Sequence, residues 1–417
     1  MLVYEAKLRG TIDQYEKLDS AIRTGVFVRN ACIRFWKDGL AKSRNDLYKY
    51  CKVLANNPEF PWAKQLNSQA RQASAERAWA AISRFFNNCK KKISGKKGFP
   101  SFKKNRLFHG SVEYKQTGYK ISDDRKYITF TDGFKAGSFR LSGTRDLHFY
   151  GLDKINRVRV VRRADGYYAQ FLIDYERLES KVPTGKTIGI DVGLNHFYTD
   201  SNGETVDNPR YLRKSEKCLK RQCRRVSKKF KKGKPQSNNY KKAKRKLALI
   251  HLKVSRQRKD FVVKTARCVV QSADLVAFED LKVGNMIKNH CLAKSISDAS
   301  WTMFRGWVEY FGKVFGVVTV AVPPHNTSQQ CSSCQAIVKK SLSTRTHVCS
   351  CGTVLDRDHN AGLNILRIGL STVGHTGTNV WGEDDLYLAN GNDNQVSRLV
   401  EPENSNCEVG ITLASAP

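Results

Sequence analysis

The sequence predicts an α+β chain of several domains: a sheet-based domain carrying acidic residues at element ends and interrupted by a metal-binding insertion, preceded by a small β-barrel with a helical insert. Three observations carry this expectation. Two β-branched apolar runs end in a carboxylate, Thr187-Ile188-Gly189-Ile190-Asp191 and Leu275-Val276-Ala277-Phe278-Glu279, and a third acidic element, Asp356-Arg357-Asp358, opens an apparent helix. Cys331, Cys334, Cys349 and Cys351 cluster as C-x-x-C, a short gap, then C-x-C. The apolar period is near 3.6 before residue 100 and near two between residues 112 and 175.

Length and composition narrow the class. A chain of 417 residues with 40% hydrophobic content holds roughly two to four domains with real cores. A formal net charge of +35 points to a polyanionic partner, nucleic acid or an anionic membrane. No apolar run approaches the ~20 residues of a membrane helix, and Met1-Leu2-Val3-Tyr4-Glu5-Ala6 is no signal peptide. Nucleic acid in the cytoplasm, with no membrane partner, is the expectation.

The elements follow in order. Residues 1–8 read as a strand, and residues 11–39 and 69–89 as helices, with Leu18, Ile22, Val26 and Ile33, then Ala75, Ala78, Ile82, Phe85 and Cys89, turned inward. Arg77, Arg84 and Lys91 recur every seventh residue off that stripe and are candidates for a phosphate-facing side, against the commoner solvated face. Residues 90–104 form a basic loop broken by Gly95, Gly98 and Pro100. Short β runs at 127–130, 139–141, 158–161 and 167–173 then suggest the barrel, closed by the first strand, and Pro183-Thr184-Gly185 marks a boundary.

Beyond that boundary, Asp191 ends a strand that opens a hairpin through the Ser201-Asn202-Gly203 turn. Residues 213–264 hold only Glu216 and Asp260 as acids and read as two basic helices around Lys228-Lys229-Phe230-Lys231-Lys232-Gly233-Lys234-Pro235. Such a charge ladder binds phosphate backbones without reading sequence. Residues 298–313 are expected to form one helix whose Trp301, Phe304, Trp307, Val308 and Phe311 are core, and residues 317–322 a strand. After Leu366 only Arg367 and Arg398 are basic, which predicts a mobile acidic tail from residue 369.

Carboxylates brought together raise one another's pKa unless a cation neutralises them. Mg²⁺ takes oxygen ligands and completes its shell with water and phosphate oxygens. Two such ions, about 3.5 to 4 Å apart, clamp the attacking and leaving oxygens of a phosphodiester displacement. Asp191 and Glu279 are therefore candidate Mg²⁺ ligands, with Asp358 or Asp356 as the third acid; His325 and His359 lie nearby in sequence and are left out of the catalytic set. The four clustered cysteines suit a closed tetrahedral Zn²⁺ site of structural kind. Because C-x-C is tighter than the usual knuckle, His347 stands as a spare ligand. The other eight cysteines, scattered from Cys32 to Cys407, read as reduced thiols of an intracellular chain.

Ile188-Gly189-Ile190-Asp191-Val192-Gly193-Leu194, Phe278-Glu279-Asp280-Leu281, Thr327-Ser328-Gln329-Gln330-Cys331-Ser332-Ser333-Cys334 and Asp356-Arg357-Asp358-His359-Asn360-Ala361-Gly362-Leu363-Asn364-Ile365 resemble, in family order, the signature blocks of TnpB. These are insertion-sequence proteins with a RuvC-like nuclease domain, similar to type V CRISPR effectors. The resemblance spans about residues 187–366; the preceding half is similar by layout, with residues 98–103 resembling the family's Gly-Phe-Pro-x-Phe-Lys block. It implies an RNase H-like (RuvC) domain over 183–325 and 355–368, a zinc ribbon over 326–354, a wedge-like barrel over 1–10 and 100–182, a helical recognition domain over 11–99 and a flexible tail over 369–417.

The same resemblance implies Asp191, Glu279 and Asp358 as catalytic acids, Asp358 because it stands two places before Asn360-Ala361. It implies a transposon-encoded RNA-guided DNA endonuclease, whose guide RNA pairs with double-stranded target DNA beside a target-adjacent motif and whose one Mg²⁺-dependent site cuts both strands. The basic helices are then expected to hold the heteroduplex by its shape. Two alternatives stand: a transposase or resolvase acting without guide RNA, and a guided DNA-binding regulator that does not cut.

Overall fold

The chain enters a sheet at once, because β1 (Leu2–Arg9) alternates apolar and polar side chains from Tyr4 to Arg9. The computed structural model describes residues 2–91, 98–104, 108–143, 147–341 and 344–375. It divides between Glu176 and Arg177 into two units, each with its own sheet.

In the first unit three helices follow β1. Helix α1 (Ile12–Lys37) starts at a capping box, the Thr11 hydroxyl accepting from the Gln14 amide while Gln14 accepts from the Thr11 amide. Ser43 and Asp46 start α2 (Arg44–Asn56) in the same way, an element the sequence pattern does not single out. Asn67 caps α3 (Ser68–Lys90). Antiparallel strands β2 (Gly110–Lys115), β3 (Tyr119–Ile121), β4 (Tyr127–Phe130), β5 (Ser138–Ser142), β6 (Ile155–Arg163) and β7 (Gly166–Ile173) complete the sheet in the order β2-β6-β7-β1-β5-β4-β3. The sheet curls, and the Tyr119 hydroxyl at one edge donates to the Ile155 carbonyl at 2.8 Å. One core fills the curl, with Leu8, Leu18, Val112, Tyr114, Phe139, Val158 and Phe171 fully buried.

The structure corrects the reading of Arg77. Its guanidinium turns inward and donates to the Ser111 carbonyl and hydroxyl at 3.2 and 3.0 Å, so it lines no phosphate-facing surface. Beside it Glu113 is held by Arg157 and Arg159, and Glu76 by Lys115 and Arg157. This network fastens α3 to β2 and β6, where the sequence shows only surplus charge. Of the basic loop, residues 92–97 lie outside the described residues; in the remainder Lys37 lies over the Phe99 and Phe102 rings, 5.2 and 5.0 Å from their centroids.

The second unit is built on strands β8 (Thr187–Val192), β9 (His196–Asp200) and β10 (Thr205–Asp207), helices α4 (Tyr211–Lys229) and α5 (Asn238–Ser272), then β11 (Leu275–Glu279). It continues with α6 (Val283–Met286), α7 (Ala293–Ala299), α8 (Trp301–Phe315) and β12 (Val318–Val322). A short hairpin, β13 (Thr346–Val348) and β14 (Val354–Asp356), runs directly into α9 (Arg357–His375). The five-stranded sheet has the order β10-β9-β8-β11-β12, antiparallel on the hairpin side and parallel from β8 through β11 to β12. Parallel strands covered on both faces explain why β8 and β11 read as near-continuous apolar runs.

The basic stretch forms a helical hairpin, and α5 packs along α8. Trp301, Phe304, Trp307 and Phe311 are buried, and Phe304 meets Phe197 at 5.0 Å, so these aromatics are core as expected. The single helix expected over 298–313 is instead α7 and α8, broken where Ser300 takes a left-handed conformation at φ 60°. That break frees Asp298 to accept from the Leu212 and Arg213 amides at the start of α4 and from Arg258 of α5. Helix α9 runs through 369–375, past the point where a tail is expected to begin; residues 376–417 lie outside the described residues.

Candidate acid site and cysteine cluster

Strand ends and one helix start deliver the three acids. Asp191 sits near the end of β8, Glu279 ends the adjacent parallel strand β11, and Asp358 lies in the first turn of α9. Burial raises the Asp191 pKa well above the usual carboxylate value, and the charges of Glu279 and Asp358 raise it further against the opposing Arg357 and Arg345. Burial also raises Glu279, which the Thr327 hydroxyl partly offsets by donating at 2.5 Å. Asp191 thus lies in the field of both other acids.

Asp358 is turned onto two guanidiniums, one on each oxygen: Arg345, and Arg357 at 3.2 Å. Asp356 is engaged otherwise: its carboxylate accepts from the Asp358 amide at 2.8 Å and from the His359 amide, capping α9. His359 reaches the Ser201 carbonyl, and His325 is exposed. The charge of Asp191 and Glu279 is disfavoured where they lie, and a hard divalent cation is the kind of group that neutralises buried carboxylates.

Glycines bring the elements together. A Cβ on Gly189 of β8 would stand 2.3 Å from the Gly362 carbonyl and 2.6 Å from the Leu366 amide. A Cβ on Gly362 would meet the Asp200 backbone at 2.9 Å, and one on Gly369 the Ala277 side chain at 2.5 Å. Helix α9 therefore lies directly on β9, β8 and β11, and this close approach places Asp358 beside the strand ends.

The cysteines form a second centre. The sulfurs of Cys331, Cys334, Cys349 and Cys351 all lie within 4.8 Å of one another, the one such cluster of metal-ligand type among the described residues. Two edges measure 3.7 Å (Cys331 to Cys351) and 3.5 Å (Cys334 to Cys349). Tetrahedral Zn²⁺ with bonds of about 2.3 Å needs edges near 3.8 Å, so the donor set fits that ion. The tight C-x-C closes because Gly352 takes φ 89° and the Cys349 amide bonds the Thr353 carbonyl at 2.9 Å. The Cys334 amide, assisted by His347 and the Ser333 amide, holds the Cys331 thiol down at about 5. His347 stays outside the cluster.

Two asparagines join the centres. Asn360 and Asn364, one turn apart on α9 and fully buried, bond the first knuckle: Asn360 accepts from the Ser332 amide and donates to the Gln330 carbonyl, while Asn364 donates to the Thr327 and Gln330 carbonyls at 2.9 and 2.7 Å. Sequence reasoning gives no role to Asn360, Asn364, Thr327 or Arg345. The signal available is two Asn at i, i+4 in a helix, unfavourable residues there unless their amides are used.

The chain is similar to known proteins over both centres. The family model of OrfB of IS605, described as a probable transposase, matches residues 170–290, and the Cas12f1-like TNB domain matches residues 301–365. A protein of Streptomyces pristinaespiralis, named a putative RNA-guided DNA endonuclease, is 30% identical over 318 residues, covering 75% of this chain and 74% of that protein. The chain belongs to the TnpB family. Another relative, the putative RNA-guided DNA endonuclease InsQ of Escherichia coli (strain K12), is 28% identical over 331 residues and covers 75% and 77%. Among solved structures, the Cas12f1 chain of a complex with sgRNA and target DNA superposes with a TM-score of 0.52 at 15% identity, covering 85% of this chain and 83% of that one. At such identity the likeness is one of fold. The OrfB match takes in Asp191 and Glu279, and the TNB match takes in the four cysteines and Asp358.

Proposed function

We propose that the chain is a transposon-encoded RNA-guided DNA endonuclease, with Asp191, Glu279 and Asp358 as the catalytic acids of one RuvC-like site. The observation that carries this reading is the suppressed acidity of Asp191 by burial and by the other two acids, an arrangement that costs stability unless cations join it. Mg²⁺ in such a site supplies charge neutralisation at the scissile phosphate and an activated water. Asp191 and Glu279 are carried by adjacent parallel strands, each just past the last residues paired between those strands, and the Thr327 hydroxyl donates to the Glu279 carboxylate. Asp358 on the helix would exchange Arg345 and Arg357 for cation and phosphate, leaving those guanidiniums to face the phosphate charge. The names of the relatives and the Cas12f1 complex favour guide RNA and target DNA as partners, and the target is proposed to be double-stranded.

The test is to purify the protein from cells carrying its flanking DNA, sequence the RNA that co-purifies, and offer the complex a plasmid library matching that RNA's end with Mg²⁺. The expected result is RNA-matched double-strand cutting beside one short motif. Bound RNA without cutting would favour a guided regulator, and protein acting on transposon ends without RNA would favour a transposase.

The basic hairpin is proposed to hold the RNA–DNA duplex through its phosphates. Lys228, Lys229, Lys231 and Lys232 are all exposed at the hairpin turn. Changing all four to Ala is expected to weaken binding uniformly across target sequences and to flatten the slope of log affinity against log salt by roughly 0.9 for each phosphate that a lysine no longer neutralises. An unchanged slope would place the duplex elsewhere.

The cysteine cluster is proposed to hold one structural Zn²⁺, which a closed set of four ligands keeps away from chemistry. Cys334→Ser is expected to release about one zinc per chain and to loosen the β13–β14 hairpin that leads into Asp358. Unchanged metal content on elemental analysis would remove this assignment.

A further inference from the structure

His347 is fully buried on β13, two residues before Cys349, and the cysteine cluster does not include it. Its Nδ1 lies 2.7 Å from the Lys340 ammonium. An ammonium has only donors, so Nδ1 accepts and the ring proton stands on Nε2. That Nε2 is sealed from solvent and meets no partner at hydrogen-bond geometry, and the fully buried Cys331 thiol, whose acidity the imidazole favours, is the acceptor near it. A protonated ring nitrogen is a donor waiting for an acceptor, and the group beside it is the innermost thiol of the four.

Four thiolates around a divalent cation carry a net charge of −2, which a dry interior disfavours unless donors surround the sulfurs. We propose that Lys340 and His347 are positioning residues for the cysteine cluster: Lys340 fixes the imidazole with its proton on Nε2, and that N–H donates to Cys331 Sγ when the thiolates hold zinc. This rests on reading the cluster as a zinc site. It assigns His347 as a support for a ligand, where the sequence leaves it as a substitute for one. Lys340 also faces Asp356, Arg357 and Asp358, so the same ammonium lies in the field of the cysteine cluster and of the acid-bearing start of α9.

The experiment uses the full chain with its RNA as native protein, His347→Phe, His347→Gln and Lys340→Met, and reads zinc retention against a chelator together with the spectrum after exchange into Co²⁺. The native protein is expected to hold one zinc. His347→Phe and Lys340→Met are expected to weaken it 10- to 100-fold and to shift the sulfur-to-cobalt charge-transfer band, while His347→Gln, which keeps an N–H at that place, stays within a few-fold. Native affinity and spectrum in both His347→Phe and Lys340→Met would overturn the proposal. So would a native spectrum of three sulfurs and one nitrogen that changes ligand count in His347→Phe, because His347 would then be a ligand. Should His347→Phe fail to fold, Lys340→Met, whose apolar stem fills the same space, decides alone. Native protein without zinc would sink the zinc reading itself, a result distinct from native zinc with unaffected variants.

Discussion

Asp191→Asn is expected to lower target cleavage by roughly 10³-fold while leaving RNA-dependent DNA binding intact and raising, not lowering, the melting temperature of the metal-free protein. The rise follows from the site. Burial and two neighbouring acids lift the folded pKa of Asp191 above its unfolded value of about 3.9, so between those values the folded state binds more protons than the unfolded one. Native stability therefore falls as pH climbs through that window and recovers as pH drops. The amide removes the charge, so the variant's advantage should be largest near neutral pH and vanish below about pH 4. Adding Mg²⁺ should raise the melting temperature of the native protein and leave the variant nearly unmoved. Thermal melts across pH, with and without Mg²⁺, run beside a plasmid-cleavage assay, check all of this; a variant less stable at every pH would show that Asp191 is a structural residue.

Gly189→Ala is expected to be the most damaging single methyl in the second unit. Its Cβ would stand 2.3 Å from the Gly362 carbonyl, backbone against backbone, so α9 must lift from β8. Overpacking of this kind costs about 1–3 kcal/mol and more where backbone cannot yield. Because Asp358 rides on α9, cleavage should fall further than the fraction of folded protein does. Gly306→Ala is the control: nothing lies within 4 Å of a Cβ there, and in the middle of α8 alanine should add about 0.5–1 kcal/mol. Urea unfolding and cleavage of both variants give the comparison, and a Gly189→Ala protein as stable and active as native would refute the direct seating of α9 on β8.

Much of the architecture is legible in the sequence because it is local. The first strand, the two basic helices and the acid-ending strands depend on residues a few places apart, and periodicity or spacing reports such features directly. The stretch 298–313 misleads for a related reason. Its apolar period continues through Ser300, and the break there serves Asp298, which replaces the cap that α4 lacks: Arg210 is left-handed and its side chain makes no capping bond.

Arg77, Asn360 and Asn364 show the other limit. Arg77 stands in a helix with the same spacing as a surface arginine, and only the Ser111 backbone, brought beside it by β2, turns it inward. The two asparagines acquire their role from a knuckle some thirty residues earlier in the chain.

By itself the sequence determined that a partner should be polyanionic, through net charge, and which functional groups are available, through three acids and four thiols at characteristic positions. Charge and functional groups are carried by residues whatever their neighbours are. Only the tertiary structure decided how those groups are placed: that Asp356 caps α9 while Asp358 takes two guanidiniums, that the C-x-C closes a four-sulfur cluster, and that His347 is buried outside it. The physical reason is that a side chain's protonation, direction and hydrogen bonds are set by the groups within a few ångströms, and here those groups arrive from strands and helices far away in sequence.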